Sequence, residues 1–333
     1  MINKENKIIL WSIVIISYWI TRLINPLGIK AGDWPNYIIP PKSYSIDSPE
    51  VLIKIIYSIG SVLFFHETIF SFFLIILIYV KLFKFYNYYS APIFTKSVIV
   101  LNPIYILFLS FPSKEVILTI IMLSLYNITR KEKNFIFLIE ACLYAVIIFY
   151  IRNIYIIPFL YLFYLKFGFG RFHFLLFILI SFFIFTNFSV ELFQGILREI
   201  TGSFIGYETA STMRWWVNIS DYNNPIELSY FFFLGMYTII FSGLPFEIEQ
   251  TPSLLPLFLI GFFKLYLIYW LLFKQDLNPD LKKRYLIFIF LIIFTLFPLS
   301  IFNIGSAIRY QVPFIVLLTS LYGSEFLIRY KKI

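Results

Sequence analysis

An all-α bundle of membrane-crossing helices is the fold class this sequence predicts, and three observations carry that expectation. Of 333 residues, 60% are hydrophobic and only 14% are charged, with a mean hydropathy of +0.84. Soluble domains carry roughly 45–50% apolar and about 25% charged residues, and so few charges could not cover so large an apolar surface in water. The apolar residues also come in runs matched to a hydrocarbon layer about 30 Å thick, which takes about 17–25 residues per helix. Finally, Lys and Arg collect in alternate connections, as the positive-inside rule requires of a multi-pass chain.

Taken in order, the first run, 8–24, stops at Asn25-Pro26. It lacks a small-residue cleavage site, so it reads as a first transmembrane helix and not as a cleavable signal peptide. The run 51–65 carries Lys54 and Gly60, and is expected as an interfacial or re-entrant helix on the outer face. Run 68–84 crosses inward toward Lys81 and Lys84. Runs 97–111 and 115–129 flank Phe111-Pro112-Ser113-Lys114-Glu115, which has the makings of a tight hairpin. After Arg130, Lys131 and Lys133, run 134–151 returns outward and turns at Arg152-Asn153 into 154–168. Run 172–190 follows Lys166 and Arg171. The stretch 229–246 contains Gly235, Gly243 and Pro245, and is expected, like 51–65, not to cross. Runs 254–273, 285–302 and 308–328 complete about ten crossings in one integral membrane domain spanning 1–333.

Charge sets the orientation. Seventeen of the 27 Lys and Arg lie in the two termini and in alternate connections, which are therefore expected to be cytoplasmic. Of the other ten, nine fall in outer segments, from Arg22 to Arg309, and Lys264 lies within a span. The net charge of +9 is thus a topology signal, and no nucleic-acid partner is expected. The outer loops 25–67 and 191–253 are long and the inner connections short, so chemistry is expected outside. No P-loop pattern occurs, which excludes an ATP-driven transporter acting alone. The single cysteine, Cys142, allows no intramolecular disulfide, and His66 with His173 are too few for a His-rich metal site. No metal and no cofactor is expected.

The candidate residues sit in those outer segments. Asp33, flanked by Trp34 and Tyr37, suits a general base or a sugar-hydroxyl ligand, against the plainer reading of a turn aspartate bonding its own backbone. At the hairpin, Ser113 fits a helix N-cap and Glu115 the favourable end of a helix dipole. That leaves Lys114, a cation poorly placed for the dipole but well placed to receive phosphate oxygens. Arg152 and Arg309 stand at helix ends with almost no loop. Either snorkels to lipid headgroups or, as bidentate donors, binds phosphate. Glu199 follows Arg198, and Arg214-Trp215-Trp216 pairs a cation with indoles that serve as interfacial anchors or as platforms for sugar rings. Tyr310 adjoins Arg309. Of the charges inside apolar runs, Glu140, Lys264 and Glu325, the deepest is Glu140, expected to face the bundle interior.

The order of these short motifs resembles a family group. Gly32, Asp33 and Tyr37 lie in the first outer loop. Asn102, Pro103 and Pro112 to Glu115 form the hairpin, and the helix pair turns at Arg152. Ser242 to Glu247 follow, and Gly305, Arg309, Tyr310 and Pro313 stand in the last element. The layout is similar to the polytopic polysaccharide-assembly proteins of bacteria, the Wzy-type O-antigen and capsule polymerases and the polyprenyl-phosphate-dependent glycosyltransferases of the GT-C class. The resemblance implies a metal- and nucleotide-independent glycosyltransferase of the inner membrane with its site facing the periplasm. Its substrate would be an undecaprenyl-diphosphate-linked glycan, and its partners membrane lipids and a chain-length regulator protein. Lys114, Arg152 and Arg309 would then bind the diphosphate. Asp33, Glu115 and Glu199 would be the candidate bases, and Trp34, Tyr37, Arg214, Trp215, Trp216 and Tyr310 would line the sugar. Asp33 is not part of a paired acidic motif in the first loop, a departure from the single-sugar GT-C pattern that favours the polymerase. A flippase for lipid-linked oligosaccharide is the rival of another class, and the concentration of cations at the outer face argues for an enzyme.

Overall fold

In the computed structural model the described residues are 4–24, 50–85, 109–130, 135–152, 225–241, 286–293 and 309–317, with 155, 156, 158, 159, 161, 261, 262, 265, 266, 269 and 296. Every regular element among them is helical. The principal helices are α1 (Lys4–Ile24), α2 (Glu50–Leu63), α3 (Glu67–Phe85), α4 (Lys114–Arg130), α5 (Phe135–Arg152) and α6 (Pro225–Phe241). Residues 286–293 and 309–317 are helical as well.

The apolar spacing explains which face each helix buries. On α1, Leu10, Val14, Tyr18 and Thr21 recur at the helical period and are buried, while Ile8, Ile16, Ile20 and Leu23 point outward. On α5, Ile148 and Ile151 are buried, and Ile139, Leu143, Val146 and Tyr150 form an exposed apolar stripe. Helix α4 differs: Glu115 to Thr119 and Ile121 to Ser124 are all buried, so it is surrounded on most sides and forms the axis of the packing. A helix apolar all round belongs in an interior.

Specific contacts set the helix directions. Trp11 meets Phe83 at 5.4 Å, and the Tyr18 hydroxyl donates to the Thr68 carbonyl at 2.8 Å, so α1 and α3 are antiparallel. The Lys81 ammonium donates to the Ser124 hydroxyl at 2.8 Å, late in both α3 and α4, and these two run parallel. Helices α4 and α5 pack together and are joined by only four residues, which makes them antiparallel neighbours. Arg22, Glu67, Lys114, Arg152 and Arg309 consequently belong to one end of the bundle, and Lys81 with the C-terminus of α4 to the other.

Helices α2 and α3 meet at a bend of 106°. Phe65 takes a left-handed backbone (φ 62°) to make the corner, a conformation unusual outside glycine. His66 then caps α3: its Nδ1 accepts the Thr68 amide at 3.1 Å, and its carbonyl accepts the Phe70 amide at 3.1 Å. Gly60 lies so close to the Phe70 ring that a Cβ there would collide with it. The close approach explains why a glycine is accommodated inside α2.

The expected run 229–246 forms α6, ending at Phe241, and Gly235 does not interrupt it. The run 51–65 forms a helix, Glu50–Leu63, turned sharply against its successor. Among the described residues no single helix is long and apolar enough to cross a membrane, and only the bent α2–α3 pair passes that test jointly. Glu140, expected to face the bundle interior, is half-buried, between the exposed Ile139 and the buried Ala141. Lys264 and Glu325 lie outside the described residues.

Candidate functional site

Five residues, Phe111 to Glu115, lead into the central helix, and the charged end of the bundle is assembled on them. Ser110, Phe111 and Pro112 are buried. The Tyr57 hydroxyl, fully buried on α2, grips Ser113 twice. It accepts the Ser113 amide at 2.9 Å and donates to the Ser113 carbonyl at 3.1 Å. Both backbone groups of Ser113 are thereby satisfied away from water. The Ser113 hydroxyl accepts the Val116 amide at 3.3 Å, the N-cap contact expected of it. Lys114 and Glu115 therefore occupy the first two positions of α4.

Because α4 is the axial helix, its first turn is interior, and the Glu115 side chain is only 2% exposed. A carboxylate there needs compensation. The helix N-terminus provides part of it. Arg309 adds to it as an ion pair, its Nε 3.5 Å from Glu115 Oε1. The Arg309 side chain is 24% exposed, and its buried Nε faces the buried acid. Its carbon centre lies 5.1 Å from the centroid of the Tyr310 ring, and Nη2 donates to the Tyr310 hydroxyl at 3.4 Å. The Tyr155 hydroxyl donates to the Tyr310 carbonyl, and its ring packs on Phe314 at 4.8 Å. Gln311 Nε2 donates to the Ile239 carbonyl at 3.3 Å and ties the same segment to α6.

Arg22 reaches the opposite end of the turn from α1. Its guanidinium lies 5.0 Å from the centroid of the Phe111 ring, and Nη2 donates to the Thr68 hydroxyl at 2.9 Å. One short turn thus carries Arg22 at its start, Lys114 near its end, and Arg309 against its final residue. Such an arrangement can receive an anion with several oxygens.

Of the residues singled out from sequence, Lys114, Glu115, Arg309 and Tyr310 are brought together here. Arg152 is the last residue of α5, three positions before the Tyr155 that bonds the Tyr310 backbone, and so its backbone belongs to the same neighbourhood. Asp33, Trp34, Tyr37, Glu199, Arg214, Trp215 and Trp216 lie outside the described residues. Sequence reasoning missed Tyr57, Thr68 and the inward role of Arg22. Arg22 did leave a signal, as a cation the positive-inside rule does not explain. Tyr57 left none, since a tyrosine in an apolar run reads as packing bulk. Among the described residues no group of three or more His, Cys, Asp or Glu gathers as metal ligands would.

No family model matches the chain, and neither a curated protein nor a solved structure does.

Proposed function

We propose that this protein polymerises undecaprenyl-diphosphate-linked oligosaccharide repeat units at the outer face of a bacterial inner membrane. One observation carries the reading. A partly exposed arginine, Arg309, is held by a buried carboxylate, Glu115, at the first turn of the axial helix, beside Lys114. The outward apolar stripes of α1 and α5 support a lipid surround, because large contiguous apolar faces are rare on monomers in water.

In the proposed reaction an acceptor sugar hydroxyl attacks the anomeric carbon of the donor glycan. The bond from that carbon to the diphosphate oxygen breaks as the new glycosidic bond forms. The hydroxyl proton passes to a carboxylate, and undecaprenyl diphosphate leaves as the anion. Arg309 and Lys114, with Arg152 at the same end, stabilise the charge that develops on the leaving group. Glu115 takes a different part from that of a base. Almost without exposure and paired with Arg309, it orients that guanidinium. The base then falls to Asp33 or Glu199, with the aromatic residues of the outer loops lining the sugar.

The test is the glycan ladder of cells carrying Arg309→Ala, with the protein quantified in the membrane. Chains reduced to a single capped repeat unit are expected. Wild-type chain lengths would refute the diphosphate role. A changed repeat would indicate a single-sugar transferase, and loss of all surface glycan a flippase.

A further inference from the structure

We propose that the α2–α3 corner is a lipid-docking surface, seated with Phe65 at its tip where the acyl chains of the outer leaflet meet the headgroups. The proposal shares a membrane setting with the reading above but none of its chemistry, and the two can fail separately.

The exposure of the corner is the first ground. Helix α2 buries Ile53, Tyr57 and Gly60 on one face. On the other, Ile59, Val62 and Leu63 are 55%, 76% and 68% exposed. Their spacing of three and four residues makes one apolar stripe. Phe65 extends the stripe past the helix end with 93% of its surface exposed. Its left-handed backbone (φ 62°) is costly for an aromatic residue. Taking the ring out of water offsets that cost.

The backbone of the corner is the second ground. The Phe64 amide donates to the Gly60 carbonyl at 2.9 Å, and the Phe65 amide to the Val62 carbonyl at 3.3 Å. The Thr68 amide donates to His66 Nδ1 at 3.1 Å. Amides satisfied within the chain can enter lipid, whereas amides that depend on water cannot.

Continuity and shape decide the occupant. Ile69, Phe73 and Val80 are exposed along α3 at helical spacing, so a second outward apolar stripe begins one turn after Phe65. The bent α2–α3 pair is also, among the described residues, the element whose length and composition suit a membrane. Lipid that covers the α3 stripe reaches the corner without interruption. The 106° bend makes the corner convex. A convex tip sinks into fluid lipid, but against the same tip of a second copy it would bury little area. Depth follows from α1, because Arg22 Nη2 bonds the Thr68 hydroxyl at 2.9 Å, three residues from Phe65. A cation at that level sets the corner at the headgroup boundary and not at the bilayer centre.

The test uses full-length protein carrying Cys142→Ser with either Phe65→Cys or Leu63→Cys, labelled with a nitroxide. The labelled protein is reconstituted in vesicles of phosphatidylcholine and phosphatidylglycerol. Collisions are measured with oxygen, which concentrates among acyl chains, and with a nickel chelate, which stays in water. Oxygen collisions are expected to exceed nickel collisions at both positions. Each position is read separately, so a misfolded Phe65→Cys leaves Leu63→Cys to decide. Dominant nickel collisions would place the corner in water and overturn the proposal. Few collisions of either kind, with an immobilised spectrum, would overturn it too, since a second copy or another segment of the chain would then cover the corner. The same label on Cys142 of the otherwise native chain is the control. A lipid response there beside a water response at 63 and 65 removes the corner alone, whereas a water response at all three removes the membrane setting and the polymerase reading with it. A lipid response at 63 and 65 beside wild-type glycan chains in Arg309→Ala removes that reading and leaves the docking surface standing.

Discussion

A carboxylate with 2% of its side chain exposed persists only where something holds its charge, and at Glu115 the Arg309 guanidinium is one such group. Removing one partner of a buried pair costs about 3–5 kcal/mol, and the partial exposure of Arg309 points to the lower end of that range. Glu115→Gln is therefore expected to lower stability by about 3 kcal/mol, read as a drop in thermal midpoint in detergent. It should also shorten the glycan chains by loosening Arg309. An unchanged midpoint would mean that the pair contributes nothing to the fold. Tyr57 offers a cleaner test, because its hydroxyl serves both backbone groups of one residue. Tyr57→Phe leaves the ring and removes the clamp, so the buried amide and carbonyl of Ser113 lose their partner at a cost of about 1–3 kcal/mol. Activity should fall with it, through misplacement of Lys114 and Glu115, in the same ladder assay.

The α2–α3 corner is the element on which the site depends, because α2 brings Tyr57 to the turn and α3 brings Thr68 to Arg22. Its geometry rests on Gly60 against Phe70, whose ring is itself held by Tyr57 at 5.7 Å and Phe64 at 5.5 Å. Gly60→Ala drives its new Cβ into the Phe70 ring, which must shift against Tyr57 and Phe64. A loss of about 1–3 kcal/mol is expected, visible as a lower thermal midpoint. A neutral or stabilising result would show that the corner is more open than the packing indicates. Ser113→Ala removes the cap of α4 and should cost about 1 kcal/mol. That smaller effect, set against the effect of Tyr57→Phe, separates capping from clamping.

At the scale of the whole molecule, α1 and α5 present apolar side chains outward along their length. Cys142 tests what that outer surface meets. It is exposed on α5 next to Leu143, which is 57% exposed. If lipid covers this face, the thiol should resist a charged maleimide in intact membranes and react with a lipid-soluble one. Detergent extraction should leave the first result unchanged until the protein unfolds. Ready labelling by the charged reagent in intact membranes would place this face in water and undo the membrane orientation.

Much of the architecture was legible in the chain because helices of this kind announce themselves locally. The runs 8–24, 68–84, 115–129 and 134–151 correspond to α1, α3, α4 and α5, with ends displaced by a few residues or less. The Ser113 cap was legible too, since a cap is a contact across three residues. The pairing of Glu115 with Arg309 was not, although each residue stood out alone. It joins positions nearly two hundred residues apart, and no local period reports such a contact.

For the described residues, then, the helices and roughly where they begin and end were already legible in the sequence. Composition, helical period and alternating charge are local quantities, and they suffice for that much. Only the tertiary structure decided that α4 is the axial helix and that its first turn is interior. This burial turns Glu115 from an exposed acid into the anchor of Arg309, and turns Arg22 from a surface cation into a neighbour of the same turn. The physical reason is desolvation. A charge removed from water must find its partner across the fold, and which partner lies within reach depends on how the helices pack.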